Sequence, residues 1–138
     1  MDMQIEQNTN AIVQNTSDID NLVQAEVYST DEVKTNKKWI NNKPIYRKVI
    51  DIGNLPDNTT KSVASGVNFN NATLVKMYGI CKHSSNNVSF PLPFSNPSTL
   101  GFSIMLNMDN SNNIVITTGT DRTGYYGYVN IEYTKTTD

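Results

Sequence analysis

Isoleucines recur every seven residues at the amino end of the chain, at Ile5, Ile12 and Ile19. Asn8, Asn15 and Leu22 follow them, each three places later. With the isoleucines at heptad position a, the other three fall at d. No proline or glycine interrupts residues 1–27, so one continuous helix is allowed. A strict seven-residue repeat makes a narrow seam. Such a seam seeks parallel copies of itself rather than a monomer core. A lone amphipathic helix folded onto the rest of the chain is the weaker reading, because the apolar stripe is thin.

A polar side chain at d lowers stability, since its amide must find partners inside the bundle. In exchange it fixes register and oligomer state. Each asparagine is followed by threonine, giving Ile5-x-x-Asn8-Thr9 and Ile12-x-x-Asn15-Thr16. The repeated motif resembles the polar core of trimeric fibres and trimeric autotransporter adhesin stalks. That resemblance implies a parallel homotrimer with core positions Ile5, Asn8, Ile12, Asn15, Ile19 and Leu22. It also implies an anion, such as chloride, held on the three-fold axis by Asn8 and Asn15, each oriented by the threonine beside it.

The 138 residues suit a stalk over 1–27, a linker over 28–37 and one head domain over 38–138. A coil of about 40 Å is marginal alone, so the head must help to hold the trimer. With 37% hydrophobic residues the head builds a modest core, which burial between subunits would extend. The lone Cys81 excludes an intrachain disulfide framework and reads as a small buried hydrophobe. No apolar run is long enough for a membrane helix, and no basic-then-apolar leader is expected at the amino end. Residues 1–32 carry seven acids and no lysine or arginine; residues 33–138 carry eleven basic residues and six acids. An acidic shaft thus bears a mildly basic head. The head's charge is either ordinary solvated surface or a match to an anionic surface, such as a phosphate-bearing cell-wall polymer. The basic residues are scattered and no nucleic-acid-binding motif accompanies them, so no nucleic-acid partner is expected.

After Tyr28-Ser29-Thr30-Asp31 the apolar period changes from seven to two. Trp39-Ile40, the turn Asn41-Asn42-Lys43-Pro44 and Ile45 to Ile52 predict a hairpin. Short strands follow at 61–65, 74–82, 88–94, 100–108, 114–118 and 125–134, separated by Asn-, Ser-, Gly- and Pro-containing turns. Strand 74–82 is apolar on both faces, which predicts burial on both. Pro91 and Pro93 keep 88–94 out of the centre of a sheet. In 100–108, Phe102, Ile104, Leu106 and Met108 are expected to point inward. In the last strand Tyr125, Gly127, Val129, Ile131 and Tyr133 share one face, and Tyr126, Tyr128, Asn130 and Glu132 the other. The expectation is a mainly β fold of about eight strands, a β-sandwich or jelly roll, behind an N-terminal α-helix.

The segment Tyr28-Ser29-Thr30-Asp31-Glu32, followed by Lys38-Trp39-Ile40-Asn41-Asn42-Lys43-Pro44-Ile45-Tyr46-Arg47-Lys48, resembles a head module of bacteriophage fibre and tail proteins. The closing stretches Thr118 to Arg122 and Tyr128 to Asp138 are similar to that module's last strand. Asn41-Asn42 departs from the expected Asp-Gly-like turn. The resemblance implies a trimeric β-sandwich knob on a virion appendage, with capsid and tail both open as its location. The shortness of the chain, with its own coil, favours a small head fibre or decoration trimer. Its amino-terminal coil is then expected to dock on other virion proteins.

Catalysis is not expected. The head's Asp51, Asp57, Asp109, Asp121, Glu132 and Asp138 form no paired motif. His83 is the single histidine, and Cys81-x-His83 offers too few ligands for zinc. Asp121-Arg122 reads as a surface ion contact. No cofactor or metal is implied. The candidate contacts are aromatic: Tyr126, Tyr128 and Trp39 serve either a sugar-stacking surface or, as the favoured reading, the core or trimer interface. Three functions follow: a short homotrimeric phage fibre whose knob meets a host-surface glycopolymer, a decoration protein without ligand, or a bacterial trimeric surface adhesin.

Overall fold

The computed structural model describes residues 3–138 of one chain. Met1 and Asp2, the tip of the expected attachment end, lie outside the described residues. Helix α1 spans Met3–Glu26. Eight strands follow: β1 Val33–Lys38, β2 Pro44–Asn54, β3 Thr60–Ala64, β4 Ala72–His83, β5 Ser89–Leu92, β6 Ile104–Met108, β7 Asn113–Thr118 and β8 Tyr125–Lys135. They form two antiparallel sheets, ordered β1-β2-β8-β4-β5 and β3-β7-β6. The chain is therefore mainly β with one N-terminal helix.

One apolar core joins the two sheets. Ile104, Ile114 and Ile116 of the small sheet meet Tyr46, Ile50, Ile52, Cys81, Val129, Ile131 and Tyr133 of the large one. Fully burying an isoleucine or valine side chain contributes about 1.5–3 kcal/mol each, the main attraction between the layers. The alternation of β8 places Val129, Ile131 and Tyr133 wholly inside. Cys81 is buried as expected, and burial pushes its thiol up.

Several local expectations need correction. The linker is shorter than 28–37, because β1 begins at Val33. Trp39 and Ile40 belong to the turn, not to a strand. Trp39 N donates to Lys43 O at 2.9 Å and Asn42 N to Trp39 O at 2.8 Å. Asn42, at φ 66°, takes the left-handed conformation that asparagine tolerates. A bulge between Leu74 and Lys76 shifts the alternation of β4, so Leu74 and Met77 both reach the core. The other face of β4 is open, with Ile80 55% exposed. Phe102 ends a 3-10 turn over Leu100–Phe102 instead of continuing the strand, and it lies half exposed. β5 does take the edge position that Pro91 requires, and Pro93 lies just past its end.

The helix does not fold onto the head. Residues 5–23 are all exposed, Ile5, Ile12, Ile19 and Leu22 among them. The last turn is held by the head, with Ala25 buried. Both copies of the repeat adopt one local geometry. Thr9 donates to Ile5 O at 2.9 Å and Thr16 to Ile12 O at 3.0 Å.

Candidate functional site

The outer face of the five-stranded sheet has a covered half and an open half. In the covered half, Arg47 of β2 is paired with Glu132 of β8. Arg47 donates to Ala25 O and Val27 O, and its guanidinium lies 4.2 Å from the centre of the Tyr28 ring. Glu132 is buried beside Lys76 at 3.9 Å. Four positions along the strands, about 13 Å away, the face opens. There Tyr128 is in register with Asp51 on one side and Ile80 on the other. Tyr126 and Tyr128 have ring centres 5.6 Å apart, and both are exposed. The Tyr126 hydroxyl donates to Asp51 Oδ2 at 2.6 Å. That bond pushes Tyr126 up to about 12 and, with the Gly53 amide, holds Asp51 below the usual carboxylate range.

Trp39 is not part of this face. Its turn sits beside the end of β8, where Lys43 Nζ donates to Lys135 O at 3.2 Å. Tyr128 is seven strand positions from Lys135, about 23 Å at the ordinary rise. Trp39 is also no core residue, at 38% exposed.

Round the start of β8 lies a cleft of about 330 Å³ that the sequence did not reveal. Its walls include Phe90, Phe94, Phe102 and Tyr125, and Arg122 lines it. Arg122 is not a surface ion contact. It is 8% exposed and donates through Nη2 to Phe102 O. Its guanidinium carbon lies 5.0 Å from the Phe90 ring centre and 5.5 Å from that of Tyr125. The neighbouring Asp121 instead accepts from Thr123, at 2.9 Å from the amide and 2.7 Å from the hydroxyl. His83 closes one side, edge-on to Tyr125 at 5.0 Å. Its Nδ1 accepts the Ser85 amide at 3.2 Å.

No protein-family model, curated protein or solved structure matches this chain. Among the described residues no helix is long and apolar enough to cross a membrane. No group of three or more His, Cys, Asp and Glu gathers there as a metal would need.

One sequence signal, the scarcity of arginine, could have pointed to the buried Arg122. The chain holds nine lysines and two arginines. Every lysine keeps solvent contact, whereas Arg47 and Arg122 are both buried. A guanidinium is more weakly hydrated than an ammonium and stacks on rings, which suits it to such positions. The phenylalanines gave no comparable sign, since they come from β5, a Pro-Ser loop and a 3-10 turn with no common period.

Proposed function

We propose that the chain is a structural, non-catalytic fibre subunit. Three copies join through parallel α1 helices into a stalk that carries three β heads. The observation that carries this reading is the exposure of the whole heptad seam over residues 5–23, together with a head that grips the helix elsewhere. Ala25, the buried contact, falls at heptad position g and lies off the a/d seam, whose Ile5, Ile12, Ile19 and Leu22 stay exposed. The identical threonine bonds in both repeats support equivalent layers at Asn8 and Asn15, where an axial chloride is proposed. The acidic residues 1–32 and the mildly basic residues 33–138 fit a particle-bound stem with an outward knob. The phage head-module resemblance supports a virion appendage, a head or tail fibre whose knob meets host-surface polymer.

Sedimentation equilibrium of the full chain tests the assembly. The expected mass is three times 15.4 kDa. A species of one or two copies at micromolar concentration would overturn it. Labelled antibody on virions tests the location.

A further inference from the structure

We propose that the Arg122 cleft binds an acidic sugar unit of a surface polymer. The proposal rests on the reading of the head as the part that meets such a surface, and it adds a site and a ligand chemistry. Three observations carry it. Arg122 is more than nine-tenths buried, no carboxylate among the described residues pairs with it, and its Nε has no acceptor. A dehydrated cation in that state favours an anionic group brought to it. The cleft walls are aromatic, with Phe90 and Phe94 ring centres 4.5 Å apart and Phe102 half exposed at the rim. Such rings stack on the apolar face of a sugar, while Asp121 and Asn96 at the rim suit its hydroxyls. Position is the third observation. The stalk helix is held beside the Arg47–Glu132 pair, and the cleft opens at Tyr125, seven positions along β8 and about 23 Å away. The cleft is thus at the end of the head remote from the stalk, where a surface is met first.

The cation sets the ligand class. A neutral sugar would leave the guanidinium uncompensated, whereas a carboxylate or phosphate compensates it. The test is calorimetric titration of the full chain with oligogalacturonate, with poly(glycerol phosphate) bearing sugar substituents, and with neutral dextran. Binding of either anionic probe, weakened by salt and without comparable dextran binding, is the expected result. The two anionic arms distinguish carboxylate from phosphate as the group held. Phe102→Ala removes a rim ring and leaves the carbonyl that Arg122 uses, and roughly fivefold weaker binding is expected. Asp121→Asn keeps the acceptor for Thr123 and removes a rim charge, so about twofold tighter binding is expected. Absence of binding to both anionic probes, equal binding of dextran, or unchanged affinity in Phe102→Ala would each overturn the proposal. Sedimentation of the same samples reports the trimer separately, so loss of the assembly reading and loss of the cleft reading are told apart.

Discussion

The guanidinium of Arg47 donates to the carbonyl oxygen of Val27 at 2.6 Å, tying the second strand to the residue that follows helix α1. The same group reaches Ala25 O at 3.1 Å. Helix α1 has no basic residue in its last turn, and Glu26 there opposes the helix dipole. Arg47 supplies the missing cation and satisfies carbonyls that the helix end leaves free. Arg47→Met keeps much of the volume and loses every donor. The expected loss is about 2–3 kcal/mol in urea denaturation, since these bonds are charged and buried. Arg47→Lys recovers only part, because an ammonium lacks the fork. A loss below about 0.5 kcal/mol would show that the guanidinium does not hold the helix to the head.

A second tie joins the linker to the last strand. Glu32 accepts from the Tyr133 hydroxyl and from Lys135 Nζ, the latter at 2.6 Å. Partial burial raises its carboxyl, but the bonds from Lys135 and Tyr133 outweigh this and hold it below the ordinary value of 4.5. A depressed folded value stabilises the fold above the unfolded value, and that contribution disappears as pH falls through the folded one. The urea midpoint is therefore expected to drop as pH goes below about 4.5, and Glu32→Gln to flatten part of that drop. An identical pH slope in the variant would remove Glu32 from the account.

The alkaline side has the opposite sign. Hydrogen bonds to Asp138 and to Asp51 push Tyr46 and Tyr126 up to about 12, and burial does the same for Tyr78. Tyr133 is pushed higher still, first by burial and then by Glu32. A raised folded value stabilises the fold below the unfolded value of 10.0, and the contribution is lost as pH climbs toward 12. Phenolate absorbance is expected to show these four tyrosines ionising above the ordinary value of 10.0. Asp51→Asn should bring Tyr126 back toward 10.0, followed through its ring resonances. No movement would mean that the Asp51 bond does not form in solution.

Gly79 marks a close approach of β4 to β8. A Cβ there would lie 2.3 Å from the Tyr128 carbonyl oxygen and 3.1 Å from Val129 Cα, both backbone atoms. Backbone cannot rotate aside as a side chain does, so Gly79→Ala must separate the two central strands. The expected cost is at least about 2 kcal/mol by thermal denaturation. Gly101→Ala is the control. Its nearest neighbour is 3.8 Å away, and a change within about 0.5 kcal/mol is expected. Equal effects at the two sites would contradict the strand packing.

The helix, the strand count and the inward face of β8 were legible because each rests on a period: seven for the helix and two for the strands. Tyr125, Val129, Ile131 and Tyr133 needed nothing beyond alternation. Bulges defeated the same reasoning in β4, where one extra residue moved Leu74 to the face of Met77. Trp39 was misplaced because an aromatic beside a turn looks like a strand end, while the turn bonds begin at Trp39 itself. Tyr126 and Tyr128 came together because they share a strand face. The cleft assembles Phe90, Phe102 and the Arg122–Tyr125 turn from three separate segments, and no local pattern reports such a meeting.

Helix α1 offers the sharpest test of the proposed assembly. Asn8 and Asn15 occupy d positions of a helix whose residues 5–23 are all exposed in the single chain. In a parallel trimer each asparagine joins two copies in a layer cut off from water. Such a layer lowers stability and fixes register. Replacing both, Asn8→Ile and Asn15→Ile, turns the layers apolar. The coil is then expected to melt at a higher temperature by circular dichroism, while sedimentation shows species other than the trimer. On an isolated exposed helix the same changes would leave the melting of the coil where it was and promote only aggregation. Unchanged melting with an unchanged mass would therefore mean that these asparagines line no buried layer, and the three-fold stalk would fall with them.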